Sequence, residues 1–160
     1  MESNCASALV QEVAHPTMTE QTATRADRPV HVLLIEDDPE AAELARIRLT
    51  EDVYEPFRVD WRRTLLEGMG RLIEPGIDVV LLDLGLPELS GYKSYQAVAL
   101  AAGDRVPIVI LTADDRSISR DLVLEFGAAD YLLKQESSSA QLRQALRNAV
   151  LRRRPDFARG

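Results

Sequence analysis

Cysteine is almost missing from this chain of 160 residues: Cys5 stands alone. A single thiol excludes an intrachain disulfide and any multi-cysteine metal site. Long apolar runs are missing too. No stretch approaches the roughly 20 apolar residues that span a bilayer. The N-terminus has neither a basic start nor an apolar core, so it does not read as a secretory signal. An excess of positive charge is also lacking. The formal net charge is −7, which argues against a nucleic-acid or anionic-membrane binder on overall charge. There are no internal repeats. The length suits one domain with a real core, not comfortably two. At 46% hydrophobic and 28% charged, the composition is that of a soluble globular protein. A cytoplasmic location is the expectation.

Residues 1–29 show neither a clean helical nor a clean strand period, and Thr, Ser, Glu and Gln are frequent. They read as a disordered lead. Cys5 and His15 fall in it and read as solvated residues without a role.

The rest turns on one strand and its outlet. Asp78-Val79-Val80-Leu81-Leu82-Asp83 is followed by Leu84-Gly85-Leu86-Pro87. Four consecutive apolar residues suit a strand buried on both faces, as in a parallel sheet. Asp83 stands where that run stops, and Gly85 and Pro87 then break regular structure. Val30-His31-Val32-Leu33-Leu34-Ile35 is a second such strand, ending in Glu36-Asp37-Asp38-Pro39. Asp38 before Pro39 reads as a helix cap rather than a ligand. The helix it opens runs to about Thr50. His31, early in its strand, reads as structural.

Phe57 to Trp61 alternates as a half-exposed strand does. Leu65 to Ile73 reads as a helix weakened by Gly68 and Gly70. A helix follows from Gly91 to about Ala102, then a strand from Val106 to Leu111 that ends at Thr112. Arg116 to Phe126 reads as a helix closed by Gly127. A fifth strand, Ala129 to Leu133, ends at Lys134. The last helix runs from about Ser138 to Arg153, with Leu142, Ala145, Leu146, Ala149 and Val150 on one stripe. Its arginines read mostly as a solvated face, the terminal ones favoured by the helix dipole. Strand and helix alternate five times with short links. That predicts an α/β fold, a parallel sheet with helices on both faces.

In such a sheet the strand outlets share one edge. The first delivers Glu36 and Asp37, the third Asp83, the fourth Thr112 and the fifth Lys134. Packed carboxylates repel, and a hard divalent cation relieves them. A hydroxyl and a fixed positive charge suit a phosphate-like anion beside Asp83. A carboxylate placed between the two is a candidate nucleophile towards phosphorus.

Four segments carry a resemblance. They are Leu34 to Pro39, Leu81 to Pro87 with Gly91, Pro107 to Ala113, and Gly127 to Lys134. Their key residues Asp37, Asp83, Thr112 and Lys134 are 46, 29 and 22 residues apart. In this order the segments resemble a response-regulator receiver domain of two-component signalling, here of single-domain type, over residues 30–153. Residues 154–160 would be a short tail.

The resemblance implies a doubly wound, flavodoxin-like, five-stranded parallel sheet of order 2-1-3-4-5, an order the general rule for such folds illustrates with a receiver. It implies Asp83 as phosphoacceptor, and a Mg²⁺ (or Mn²⁺) site at Glu36, Asp37, Asp83 and the backbone carbonyl of Gly85. It implies Thr112 as switch hydroxyl, Lys134 as phosphate-pairing lysine and Tyr131 as switch aromatic. The implied donor is a sensor histidine kinase or a histidine phosphotransfer protein. The output would pass to a downstream protein target through the face of the fourth helix, fifth strand and fifth helix. A phosphorylation-dependent homodimer is a further expectation. Arg116, Arg120, Arg143 and Arg147 are expected to ring that face around Tyr131. No DNA-binding or membrane segment is read in the chain, and it is not expected to act as an enzyme beyond accepting and losing its own phosphoryl group.

Two departures stand out. Gln135 replaces the proline that follows the lysine in many receivers, so the final loop should be all trans and more mobile. Gly85 offers no side chain beside the phosphoryl group, while Asp114 can offer an acid. In the family those two places tune the lifetime of the phosphate. Two other functions fit parts of the pattern. A phosphate-independent receiver-like binding module would keep the fold without the switch. An aspartyl-phosphate phosphohydrolase would want a second aspartate where Gly85 stands.

Overall fold

The structure, a computed structural model, describes residues 28–153 apart from positions 55, 90, 115 and 117. The readings for residues 1–27, Cys5 and His15 among them, and for the 154–160 tail lie outside the described residues. Arg28 and Pro29, which composition assigned to the lead, are described, and the Arg28 guanidinium pairs with Asp78 at 2.6 Å. The same Asp78 carboxylate accepts the His31 N–H. His31 therefore sits at the edge where strands begin, away from the outlets.

Ten elements alternate: β1 (Val30–Ile35), α1 (Pro39–Thr50), β2 (Phe57–Arg62), α2 (Leu65–Ile73), β3 (Val79–Leu82), α3 (Tyr92–Ala102), β4 (Ile108–Thr112), α4 (Arg120–Glu125), β5 (Asp130–Leu133) and α5 (Ser139–Arg152). The strands form one sheet in the order β2-β1-β3-β4-β5, and every pairing is parallel. Fold class and strand order are those the sequence implied.

Strand side chains alternate between faces, so the sheet splits the core in two. Leu33, Ile35, Val80, Leu82, Ile110 and Tyr131 face α2, α3 and α4. Val32, Leu34, Val79, Leu81, Val109 and Leu111 face α1 and α5. β3 is buried at every position, as its unbroken apolar run requires. Gly68 is more than a weak point in α2. A Cβ there would lie 2.4 Å from Ile35 Cδ1, so its absence lets α2 settle directly on β1.

One helix differs from expectation. Periodicity extended the fourth helix back to Arg116, but α4 begins at Arg120. The Asp114 carboxylate accepts the Arg116 N–H at 2.8 Å. Such a local side-chain turn competes with helix. Ile118, meanwhile, is drawn into the core. At the other end Gly127, with φ +103°, turns the chain from α4 into β5 at a backbone angle that costs other residues more. Among the described residues no peptide bond is cis. The loop after Lys134 is tied down: Glu136 and Ser137 donate N–H bonds to the Leu133 carbonyl. Arg48 reaches the carbonyls of Lys134 and Ser137. No described helix is long and apolar enough to cross a membrane.

Candidate functional site

Three outlet residues are fixed by ladder bonds that outlast their strands. Glu36 N–H donates to the Arg62 carbonyl, Asp83 N–H to that of Ile35, and Lys134 N–H to that of Thr112. Parallel register thereby brings residues 98 positions apart into contact. Lys134 Nζ lies 2.5 Å from Glu36 Oε2 and 3.1 Å from Asp83 Oδ2. Oxygens of Glu36, Asp37 and Asp83 all lie within 4.8 Å of one another.

Glu36, Asp83 and Thr112 are buried, at 3%, 7% and 3% exposure. Burial sets the electrostatics. It pushes the Glu36 carboxyl up to about 7; the hydrogen bond from Lys134 pulls back, and the Asp83 charge pushes further. Burial alone would lower Lys134, but the bond from Glu36 and the charges of Asp83 and Glu36 outweigh it, and its pKa rises. Lys134 is therefore held as an ammonium. Three carboxyl groups share one ammonium, so full ionisation of the cluster leaves two negative charges uncompensated. An all-oxygen, net-negative, partly open cluster fits a hard divalent cation such as Mg²⁺.

Gly85 is bound to the site by its N–H, which donates to Asp83 Oδ1 at 3.1 Å. The Thr112 hydroxyl is held only weakly, at 3.5 Å from the Asp114 carbonyl. Such a bond is easily exchanged. Asp38 caps α1 through the Glu40 N–H, as read from its place before Pro39. Tyr131 is buried at 3% exposure, in the same half-core as Ile118 and Val123.

The arginine ring around Tyr131 does not form as expected. Arg143 turns the other way, donating to the Arg48 carbonyl and approaching Glu51. The Arg147 guanidinium lies 4.9 Å from the ring centroid of Phe57, a β2 residue. Both therefore face the α1–β2 side. Arg116 lies outside α4, and only Arg120 remains on the α4–β5–α5 face, 4.0 Å from Asp130. The α5 residues on that face are Gln141, Gln144 and Asn148, which line a cleft of about 540 Å³ with Arg120 and Leu132. Helical spacing placed the arginines one turn apart but not on the correct side, because α5 is covered along two borders and not one.

Sequence reasoning also missed Trp61 and Arg63. The Trp61 indole N–H donates to the Glu36 carbonyl at 2.8 Å, and Arg63 Nη2 lies 3.5 Å from the Asp37 carbonyl. The available signal was a large aromatic at an exposed position of an alternating strand.

A family model described as the response regulator receiver domain matches residues 32–147. The swarming motility regulation protein RssB of Serratia marcescens is 38% identical over 105 residues, which are 66% of this chain and 46% of that protein. An uncharacterized transcriptional regulatory protein, YkoG of Bacillus subtilis, is 32% identical over 120 residues, 73% of this chain and 51% of that one. The chain thus spans about half the length of these relatives. A crystal structure of a receiver domain protein from Clostridium thermocellum superposes with a TM-score of 0.66 at 26% identity, covering 77% of this chain and 95% of that one. With the strand order and the acidic outlet in place, these matches show that the chain belongs to the response regulator receiver domain family, whose work is phosphorylation-dependent signalling in two-component systems.

Proposed function

We propose that Asp83 accepts a phosphoryl group from the phosphohistidine of a sensor histidine kinase or histidine phosphotransfer protein. The observation that carries this reading is the setting of the Asp83 carboxylate. Glu36 and Asp37 lie beside it, and the Lys134 ammonium bridges it to Glu36. An Asp83 oxygen attacks phosphorus, a P–O bond forms, and the P–N bond breaks. The imidazole leaves with the bonding pair and takes a proton. Water later attacks phosphorus and restores the carboxylate. Glu36, Asp37, Asp83 and the Gly85 carbonyl would hold Mg²⁺ (or Mn²⁺). When bound, the cation neutralises charge on the phosphoryl oxygens. Lys134 pairs with a phosphoryl oxygen, and the loosely held Thr112 hydroxyl turns to donate to another. Acceptance and hydrolysis are the only chemistry assigned, so the chain is a switch rather than an enzyme with an external product. A cytoplasmic location goes with this reading.

The output passes through the α4–β5–α5 face to a downstream protein or a second copy. Movement of Thr112 changes the space beside Tyr131, which shares its half-core with Val123 of α4. Phosphorylation then shifts the population between two packings of that face.

The test is incubation with a small acyl phosphate and Mg²⁺, followed by intact-mass measurement. Native protein should gain one phosphoryl group, and Asp83→Asn none. A gain that survives Asp83→Asn would move the acceptor elsewhere.

A further inference from the structure

The geometry points to Trp61 as the residue that positions the acidic turn for the cation; this rests on the metal-assisted reading above. Both peptide groups of Glu36 are anchored on β2. Its N–H goes to the Arg62 carbonyl at 3.1 Å, and its carbonyl accepts the Trp61 indole N–H at 2.8 Å. One residue on, the Asp37 carbonyl lies 3.5 Å from Arg63 Nη2. That guanidinium is itself 6.0 Å from the centroid of the Trp61 ring.

Core packing does not account for this tryptophan. Trp61 is 37% exposed, and β2 is an edge strand that pairs with β1 alone. A β-branched residue fits an exposed strand position as well. What the indole adds is one N–H donor, and that donor is spent on the carbonyl between the two acids. The peptide is planar, so fixing this carbonyl fixes the plane of the Glu36–Asp37 link. That in turn sets the directions in which both carboxylates leave the backbone. Glu36, Asp37 and Asp83 repel one another within 4.8 Å, and rotation of this turn is a ready way for them to separate. The indole bond opposes the rotation and keeps the oxygens converged before the cation arrives. Trp61 touches no reacting atom. Its role is positioning.

The experiment titrates Mg²⁺ calorimetrically into native protein, Trp61→Phe and Asp37→Asn, with melting in EDTA alongside. Trp61→Phe keeps an aromatic ring and removes the donor. It should weaken Mg²⁺ binding about three- to tenfold, the worth of one hydrogen bond. Its melting temperature in EDTA should fall by no more than about 5 °C, the cost of one hydrogen bond. Saturating Mg²⁺ should return its rate of acyl-phosphate acceptance to the native value. If Trp61→Phe does not fold, biosynthetic replacement by β-(3-benzothienyl)alanine exchanges the N–H for sulfur and keeps the bicyclic shape. Trp61 is the chain's single tryptophan, so the exchange is site-specific and the same loss is expected. For the same reason native emission should change on adding Mg²⁺, and Asp37→Asn emission should not. Equal Mg²⁺ affinity in native and benzothienyl protein would overturn the role of Trp61 and leave the cation reading intact. Native protein that binds Mg²⁺ no better than Asp37→Asn would overturn both.

Discussion

α5 begins on a complete capping box, in which Ser138 and Gln141 satisfy each other's backbone N–H groups. α4 begins on Ser119, whose side chain makes no cap bond. α5 has 14 residues and buries Leu142, Ala145, Leu146 and Ala149, while α4 has six and buries only Val123. α1 resembles α5: Asp38 caps it, Pro39 occupies its first position, and Ala42, Ala45 and Leu49 are buried. The helices on one face of the sheet are thus held by caps and core together, and α4 on the other face by Val123, the partly buried Leu124 and the Gly127 turn. Local opening is cheapest where few apolar contacts are buried, and moving parts are drawn from that end. The charged residues thus stand against fixed strand outlets, and the element beside Tyr131 is held by fewer caps and buried side chains.

The largest expected break lies at the outlets. Lys134→Met leaves Glu36 and Asp83 facing each other without an ammonium. In EDTA at pH 8 this should cost about 2–3 kcal/mol, less than for a sealed pair because Lys134 remains partly in water. Leu122→Ala on α4, at 40% exposure, should cost under about 1 kcal/mol. Denaturant melts of the two variants check the ranking, and equal costs would erase the contrast between regions.

pH sharpens the same contrast. Glu36 titrates from 4.5 when unfolded to about 7 in the fold. The folded state therefore binds its proton more tightly. The stability this confers is full below about pH 4.5 and is lost as pH rises through about 7. The raised Lys134 is protonated on both sides of that window and does not alter its sign. Metal-free native protein should lose about 2 kcal/mol between pH 5 and pH 8 relative to Glu36→Gln. Saturating Mg²⁺ should flatten the difference, since a cation favours the carboxylate form. Parallel profiles for the two proteins in EDTA would place the titrating group elsewhere.

The convergence of the outlet residues was legible in the sequence because they stand at strand ends, where an apolar run stops and a polar residue begins. Asp83, Glu36, Thr112 and Lys134 are all of this kind, and parallel register alone brings them to one edge. The face around Tyr131 was less legible. Its arginines were placed by helical spacing, which says that Arg143 and Arg147 neighbour each other but not which border of α5 they occupy. The start of α4 was misjudged because Asp114 offers the Arg116 N–H a bond that competes with helix, a contest that apolar spacing does not register. Trp61 was read as half-exposed strand, since its acceptor is a backbone carbonyl 25 residues away and carbonyls leave no mark in a sequence.

The smallest expected effect tests the caps directly. Ser138 accepts the Gln141 N–H at 3.1 Å, and Gln141 accepts the Ser138 N–H at 2.8 Å. Ser138→Ala removes the first of these bonds and loosens the second, and a helix N-terminus left uncapped typically costs about 1 kcal/mol. Ser119→Ala removes no cap bond, so only the backbone preference of serine at that position is lost, about a few tenths of a kcal/mol. Hydrogen exchange separates the two at residue level. Ser138→Ala should speed exchange in the first turn of α5 several-fold, while Ser119→Ala should leave α4 exchanging as it does in the native protein. A Ser119→Ala loss as large as that of Ser138→Ala would mean that α4 is capped in solution. The contrast between α4 and α5 would then rest on helix length and buried side chains alone.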